Sequence, residues 1–105
     1  MSTRVERLTK ALAFLEANEW TQGGFTATLA DGATAYCAEG AYRTANGFPV
    51  TGFSFEASPD LSFFREVTPI GEALWEFNDD ETRTKDDVVA LFEKAIQKAK
   101  EEADG

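Results

Sequence analysis

Apolar residues recur at helical steps near both ends of the chain and at strand steps in between. Val5, Leu8, Leu12 and Leu15 follow the three- and four-residue period, with Ala11 and Phe14 widening the stripe. Thr3 and Glu6 stand at capping-box spacing, so a helix is predicted from Thr3 to about Ala17, with Asn18 as its stop. Trp20 to Gly24 breaks the period with two glycines and is predicted to be a turn or loop. Phe25 to Leu29 alternates apolar and polar residues, Asp31-Gly32 is a hairpin turn signal, and Ala33 to Tyr36 is the return strand. The alanines from Ala33 to Ala45 also suit a helix starting at Asp31; a short hairpin followed by a helix from about Tyr36 to Ala45 is favoured, closed by Asn46-Gly47.

The segment from Phe48 to Phe55 mixes Pro and Gly with large apolar residues and reads as a packed loop or an edge strand. Ser58-Pro59-Asp60 is a helix start, with a cap, a proline in the first turn and an acid at the positive end of the dipole. Leu61, Phe63, Phe64 and Val67 would then face inward. Thr68-Pro69 repeats the signal and predicts a further short helix through Ala73, Leu74 and Trp75, weakened by Gly71. Phe77 to Arg83 reads as a polar connector. Thr84 with Asp87 caps the last helix, which runs to about Ala103 and carries Val88, Leu91, Phe92, Ala95, Ile96 and Ala99 on one face. The whole is predicted to be one mostly helical α+β domain, residues 1–105, with a short β-hairpin between amphipathic terminal helices.

Composition narrows the chemistry more than it names it. The 105 residues are 43% hydrophobic, and nine Phe, two Trp and two Tyr can furnish a core. No apolar run reaches membrane-spanning length and no signal region opens the chain, so neither a membrane nor secretion is expected. Nineteen acids against ten bases give a formal charge of −9. That balance argues against gripping a nucleic-acid backbone and suits solubility or a basic partner. The single cysteine, Cys37, has no internal disulfide partner, which fits a reducing cytoplasm. Histidine is absent, so a Ser-His-Asp triad, a Cys-His dyad or a His-ligated zinc site cannot be built within the chain.

Three segments together carry a resemblance. They are Trp20-x-Gln22-Gly23; Cys37-Ala38-Glu39-Gly40-Ala41; and Trp75-x-Phe77-Asn78-Asp79 followed by Arg83-Thr84-x-x-Asp87-Val88-x-x-Leu91-Phe92-x-x-Ala95-Ile96-x-x-Ala99. In order and spacing they resemble an uncharacterised family of small proteins of actinobacteria and their bacteriophages. In that family a Cys-x-x-Gly-Ala helix precedes Trp-Asn-Asp, then Arg-Thr and a closing helix. Phe77 stands where the family usually has Trp, and Asp80-Glu81 replaces a common Pro-Gly. The resemblance implies a mostly helical cytoplasmic accessory protein, in the host cytoplasm where a phage encodes it, and transfers no activity.

The candidate sites each have a plainer reading. Glu76, Asp79, Asp80 and Glu81 could gather oxygen ligands for Mg²⁺ or Ca²⁺, but they lack EF-hand spacing. Turn bonds from Asn78 and Asp79 to their own backbone, with Arg83 paired to a nearby carboxylate, explain the same residues and are preferred. Cys37 at a helix start could be a reactive thiol, yet buried packing is the commoner role for a lone cysteine. Gly40 inside a helix is expected to allow close helix packing. The expected function is that of a non-enzymatic acidic interaction or regulatory protein, a phage-encoded modulator of a host protein being one form, with a host or phage protein as partner and no cofactor. The alternative is a small-molecule or nucleotide binder with Trp20, Tyr36, Tyr42 and Trp75 around a pocket; a carboxylate or metal-dependent hydrolase ranks third. Binding residues are expected among Trp20, Tyr36, Tyr42, Trp75, Phe77, Asn78, Asp79 and Arg83.

Overall fold

The structure, a computed structural model, describes residues 3–49 and 59–104. Their order is α1 (Arg4–Ala17), β1 (Glu19–Trp20), β2 (Thr26–Thr28), β3 (Thr34–Tyr36), α2 (Ala38–Ala45), α3 (Pro59–Phe63), a 3₁₀ turn (Phe64–Glu66), α4 (Leu74–Asp79) and α5 (Lys85–Asp104). This is an α+β fold. Both terminal caps form as their spacing predicts. Thr3 Oγ1 accepts from Glu6 N at 3.1 Å, and at α5 the Thr84 N–H donates to Asp87 Oδ2 at 2.8 Å while Asp87 N donates to Thr84 Oγ1 at 3.3 Å. Asn18 ends α1 in an extended conformation (φ −127°) rather than a left-handed one.

The hairpin also forms as read, with β2 antiparallel to β3 in the register Thr26–Tyr36, Ala27–Ala35 and Thr28–Thr34. Trp20, expected within a turn or loop, instead forms with Glu19 a short strand parallel to β3, giving the order β1-β3-β2. Two residues carry no readable period; the pairing is decided by β3, which offers its second edge.

The core lies where the helices meet. Leu8, Ala11 and Leu15 of α1 pack with Ala38, Ala41 and Tyr42 of α2 and with Val88, Phe92, Ala95 and Ala99 of α5. Alanines at the contacts let the helix axes approach closely. Phe63, Phe64 and Val67 are buried as predicted and Leu61 is half-buried; Phe64 meets Phe92 edge to face at 4.9 Å. Ser58 and most of the Phe48–Phe55 stretch lie outside the described residues; Phe48 itself is exposed.

Two further differences from the sequence reading lie in the second half of the chain. No helix opens at Thr68-Pro69: Gly71 takes φ +71°, which a helix cannot accommodate, and Thr68 Oγ1 donates to the Glu72 carbonyl at 2.9 Å to hold a turn. The short helix begins at Leu74, where Glu76 Oε1 accepts from Ala73 N at 3.1 Å. The stretch from Phe77 to Asp79 is therefore helix, not connector, and Leu74, Phe77 and Asn78 form its buried stripe.

Asp60 is the other departure. Instead of serving only the start of α3, its carboxylate is fully buried and faces α1 and α2. It accepts from Arg4 Nε at 3.0 Å, from the Arg7 guanidinium and from the Tyr42 hydroxyl. Burial pushes this carboxyl up, but the bonds from Arg7, Tyr42 and Arg4 outweigh it and hold it below the usual carboxylate value; the Arg7 guanidinium is correspondingly raised.

Candidate functional site

The three resemblance segments converge on one buried side chain, Asn78. It projects from α4 toward the strand edge and the start of α2. Its Oδ1 accepts from Trp20 Nε1 at 2.7 Å and from Ala38 N at 2.9 Å. Its Nδ2 donates to the Thr21 carbonyl at 3.2 Å and to Asp79 Oδ1 at 2.9 Å. Gln22 Nε2 reaches the carbonyls of Asn78 (2.9 Å) and Asp80 (2.8 Å), and Asp79 Oδ1 accepts from Gly23 N at 2.9 Å. A carboxamide suits this place because it offers two acceptor sites and two donors, all of which find partners here. Asn78 and Asp79 thus bridge distant segments, which corrects the expectation that they satisfy their own backbone. The turn bond of that kind belongs to Asp80, whose Oδ1 accepts from Thr82 N and Oγ1 and whose carboxyl is lowered by those two bonds.

Cys37 caps α2. Its Sγ accepts from Gly40 N at 3.2 Å and the residue is buried. Burial first, then the Glu39 and Asp79 carboxylates, outweigh the backbone N–H groups of Gly40 and Glu39 and push the thiol up to about 11. It is therefore neutral near pH 7, and a mild thiol reagent added to the native chain is expected to label it only at the rate of unfolding; rapid stoichiometric labelling would contradict this. Gly40 does not serve helix packing. A methyl group there would lie 2.1 Å from the Phe25 carbonyl oxygen, which also accepts from Cys37 N at 3.0 Å. The position must lack a side chain for the Phe25 backbone to reach the start of α2.

The eight expected binding residues separate. Trp20, Asn78 and Asp79 share the buried junction. Tyr42 is fully buried against Asp60, and Tyr36 packs edge to face on Phe14 at 4.8 Å and borders a cleft of about 460 Å³ with Asn18 and Glu19. Phe77 is buried beneath Arg83, whose guanidinium carbon lies 4.1 Å from the ring centroid; Arg83 also sits 3.9 Å from Glu72. Trp75 alone is largely exposed, at 57%, and lies between two clefts, one of about 220 Å³ and one of about 180 Å³. Among the described residues, no cleft is seen to be lined by more than one of Trp20, Tyr36, Tyr42 and Trp75.

The carboxylates proposed as a metal site disperse: Glu76 caps α4, Asp79 holds Gly23, and Asp80 holds Thr82. Among the described residues, no three acidic or cysteine side chains gather to hold a metal. No helix among them is long and apolar enough to cross a membrane. Sequence reasoning missed Gln22 and the Asp60 cluster with Arg4 and Arg7. The Asp60 signal was an acid at the head of a helix too short to require it, opposite two arginines one turn apart on α1.

The fold and its junction define a small acidic α+β protein whose strand edge, second helix and fourth helix are locked by one asparagine. The chain belongs to a family of unknown function (DUF6197), whose model matches residues 1–98. No curated protein and no solved structure matches it.

Proposed function

We propose that this chain is a non-enzymatic acidic interaction or regulatory protein that acts in the cytoplasm on a basic protein, as an accessory of an actinobacterium or of a phage that infects one. One observation carries the reading: Trp75 stands exposed on α4 beside carboxylates, on a chain of charge −9. Trp is enriched at binding hot spots, and negative charge speeds encounter with a basic partner. The polar groups that might have suggested catalysis are engaged within the fold. Cys37 caps a helix, Asp60 binds two arginines, and Asn78 joins three segments.

The test is affinity capture with the tagged full chain from an actinobacterial lysate at low and high salt. A discrete basic protein retained at low salt and released at high salt is the expected result. Retention of no discrete protein, or of a partner indifferent to salt, contradicts the proposal.

A further inference from the structure

The cleft of about 180 Å³ beside Trp75 is lined by Gly23, Gly24, Phe25, Cys37, Trp75 and Asp79. Trp75 and Asp79 are four residues apart on α4 and so share a face of that helix, one turn apart. The cleft therefore brings together an aromatic ring, a stretch of glycine backbone and Asp79. We propose that this cleft is a notch for an arginine side chain presented by a basic protein partner, the guanidinium stacking on Trp75 and pairing with Asp79. This rests on the interaction reading above and names the chemistry of its contact.

Several observations favour that occupant. The Asp79 carboxylate is pre-positioned, because its Oδ1 is held by Gly23 N at 2.9 Å and Asn78 Nδ2 at 2.9 Å; among the described residues, its other oxygen accepts no hydrogen bond. No lysine or arginine lines the cleft. Glu76, exposed on the same helix, adds negative charge nearby. Such a field repels phosphate and carboxylate ligands and attracts cations. A planar guanidinium both stacks on indole and forks onto a carboxylate, which an ammonium does less well. The fold uses this chemistry next door: Arg43 lies 5.2 Å over the Phe25 ring and 3.2 Å from Glu39.

The experiment is an NMR titration of the full chain with a hexa-arginine peptide and, separately, a hexa-lysine peptide of equal charge, at low salt. The Trp75 indole and the Gly23 and Gly24 amides are expected to move with hexa-arginine, which should bind about fivefold tighter than hexa-lysine. Trp75→Ala and Asp79→Asn should each weaken hexa-arginine about fivefold or more; asparagine keeps an acceptor for Gly23 while removing the charge. Equal binding of both peptides, shifts scattered over the acidic surface, or undiminished binding by Trp75→Ala overturns the notch. The wild-type shift map decides the matter even where a variant folds poorly. Capture of a basic partner that Trp75→Ala retains in full would leave the interaction reading standing and the notch rejected. Hexa-arginine in the notch with no partner captured would do the reverse.

Discussion

Asp60→Ala is expected to destabilise the chain by about 3 kcal/mol, at the lower end for a broken buried ion pair because Arg4 and Arg7 are partly exposed and can turn to water. The substitution removes an acceptor shared by α1, α2 and α3, and Tyr42 loses it in a fully buried setting. For a chain of this size that corresponds to a fall in melting temperature of more than about 10 °C, measurable by circular dichroism. The pH dependence has a definite sign. The folded-state carboxyl of Asp60 lies below its ordinary value, so its contribution is complete above about pH 4 and is lost as pH falls through the lowered folded value. The wild-type chain should therefore lose stability on acidification below about pH 4, and Asp60→Asn should flatten that decline. Asp80 is lowered too, by its bonds from Thr82 and by the charge of Arg83, but it is exposed and should contribute little to the slope. An Asp60→Ala chain as stable as its parent would show that the cluster does not hold the helices together.

Asn78→Ala is expected to cost a comparable amount, about 3 kcal/mol. It deprives the Ala38 N–H, which is buried, and the Trp20 indole N–H of a common acceptor, and it leaves the Thr21 carbonyl without that donor. The cavity left by the lost side-chain atoms adds to the penalty. The effect should be local as well as global: the Ala38 amide and the Trp20 indole should exchange hydrogen far faster in the variant than in the parent chain. Asn78→Asp offers a sharper comparison, since it preserves volume and acceptors but loses the donor to Thr21 and places a charge beside Asp79. It should also destabilise, and more so as pH rises through the carboxylate range.

What the sequence revealed was what local spacing determines. The Thr3–Glu6 and Thr84–Asp87 caps, the helical stripes of α1 and α5, and the Asp31-Gly32 hairpin each depend on residues within a few positions of one another. The structure departs from the local pattern where a residue's partner is distant. Asp60 is bound by side chains 53 and 56 positions earlier and by Tyr42, 18 earlier; Asn78 binds Trp20 across 58 positions. Nothing in a hydropathy period announces such pairings. A polar residue on a buried helix stripe reads as a connector until the groups that satisfy it are placed. The start of α4 is hidden for a related reason: a side chain inside the helix, Glu76, supplies the cap that the residue at the entrance, Ala73, lacks. The candidate site was legible in part. The resemblance segments do meet in space, at Asn78, but exposure singled out Trp75, and no pattern of residue types distinguishes an exposed tryptophan from a buried one.

Among the residues that suggested a site, Trp20, Asn78 and Asp79 form a junction that holds the fold, whereas Trp75 stands exposed. Chemical unfolding of Asn78→Ala and Trp75→Ala beside the parent chain tests that division most directly. The expected result is a loss of about 3 kcal/mol for Asn78→Ala and a change within about 0.5 kcal/mol for Trp75→Ala. A parent-like Asn78→Ala, or a Trp75→Ala variant destabilised as much as Asn78→Ala, would contradict it.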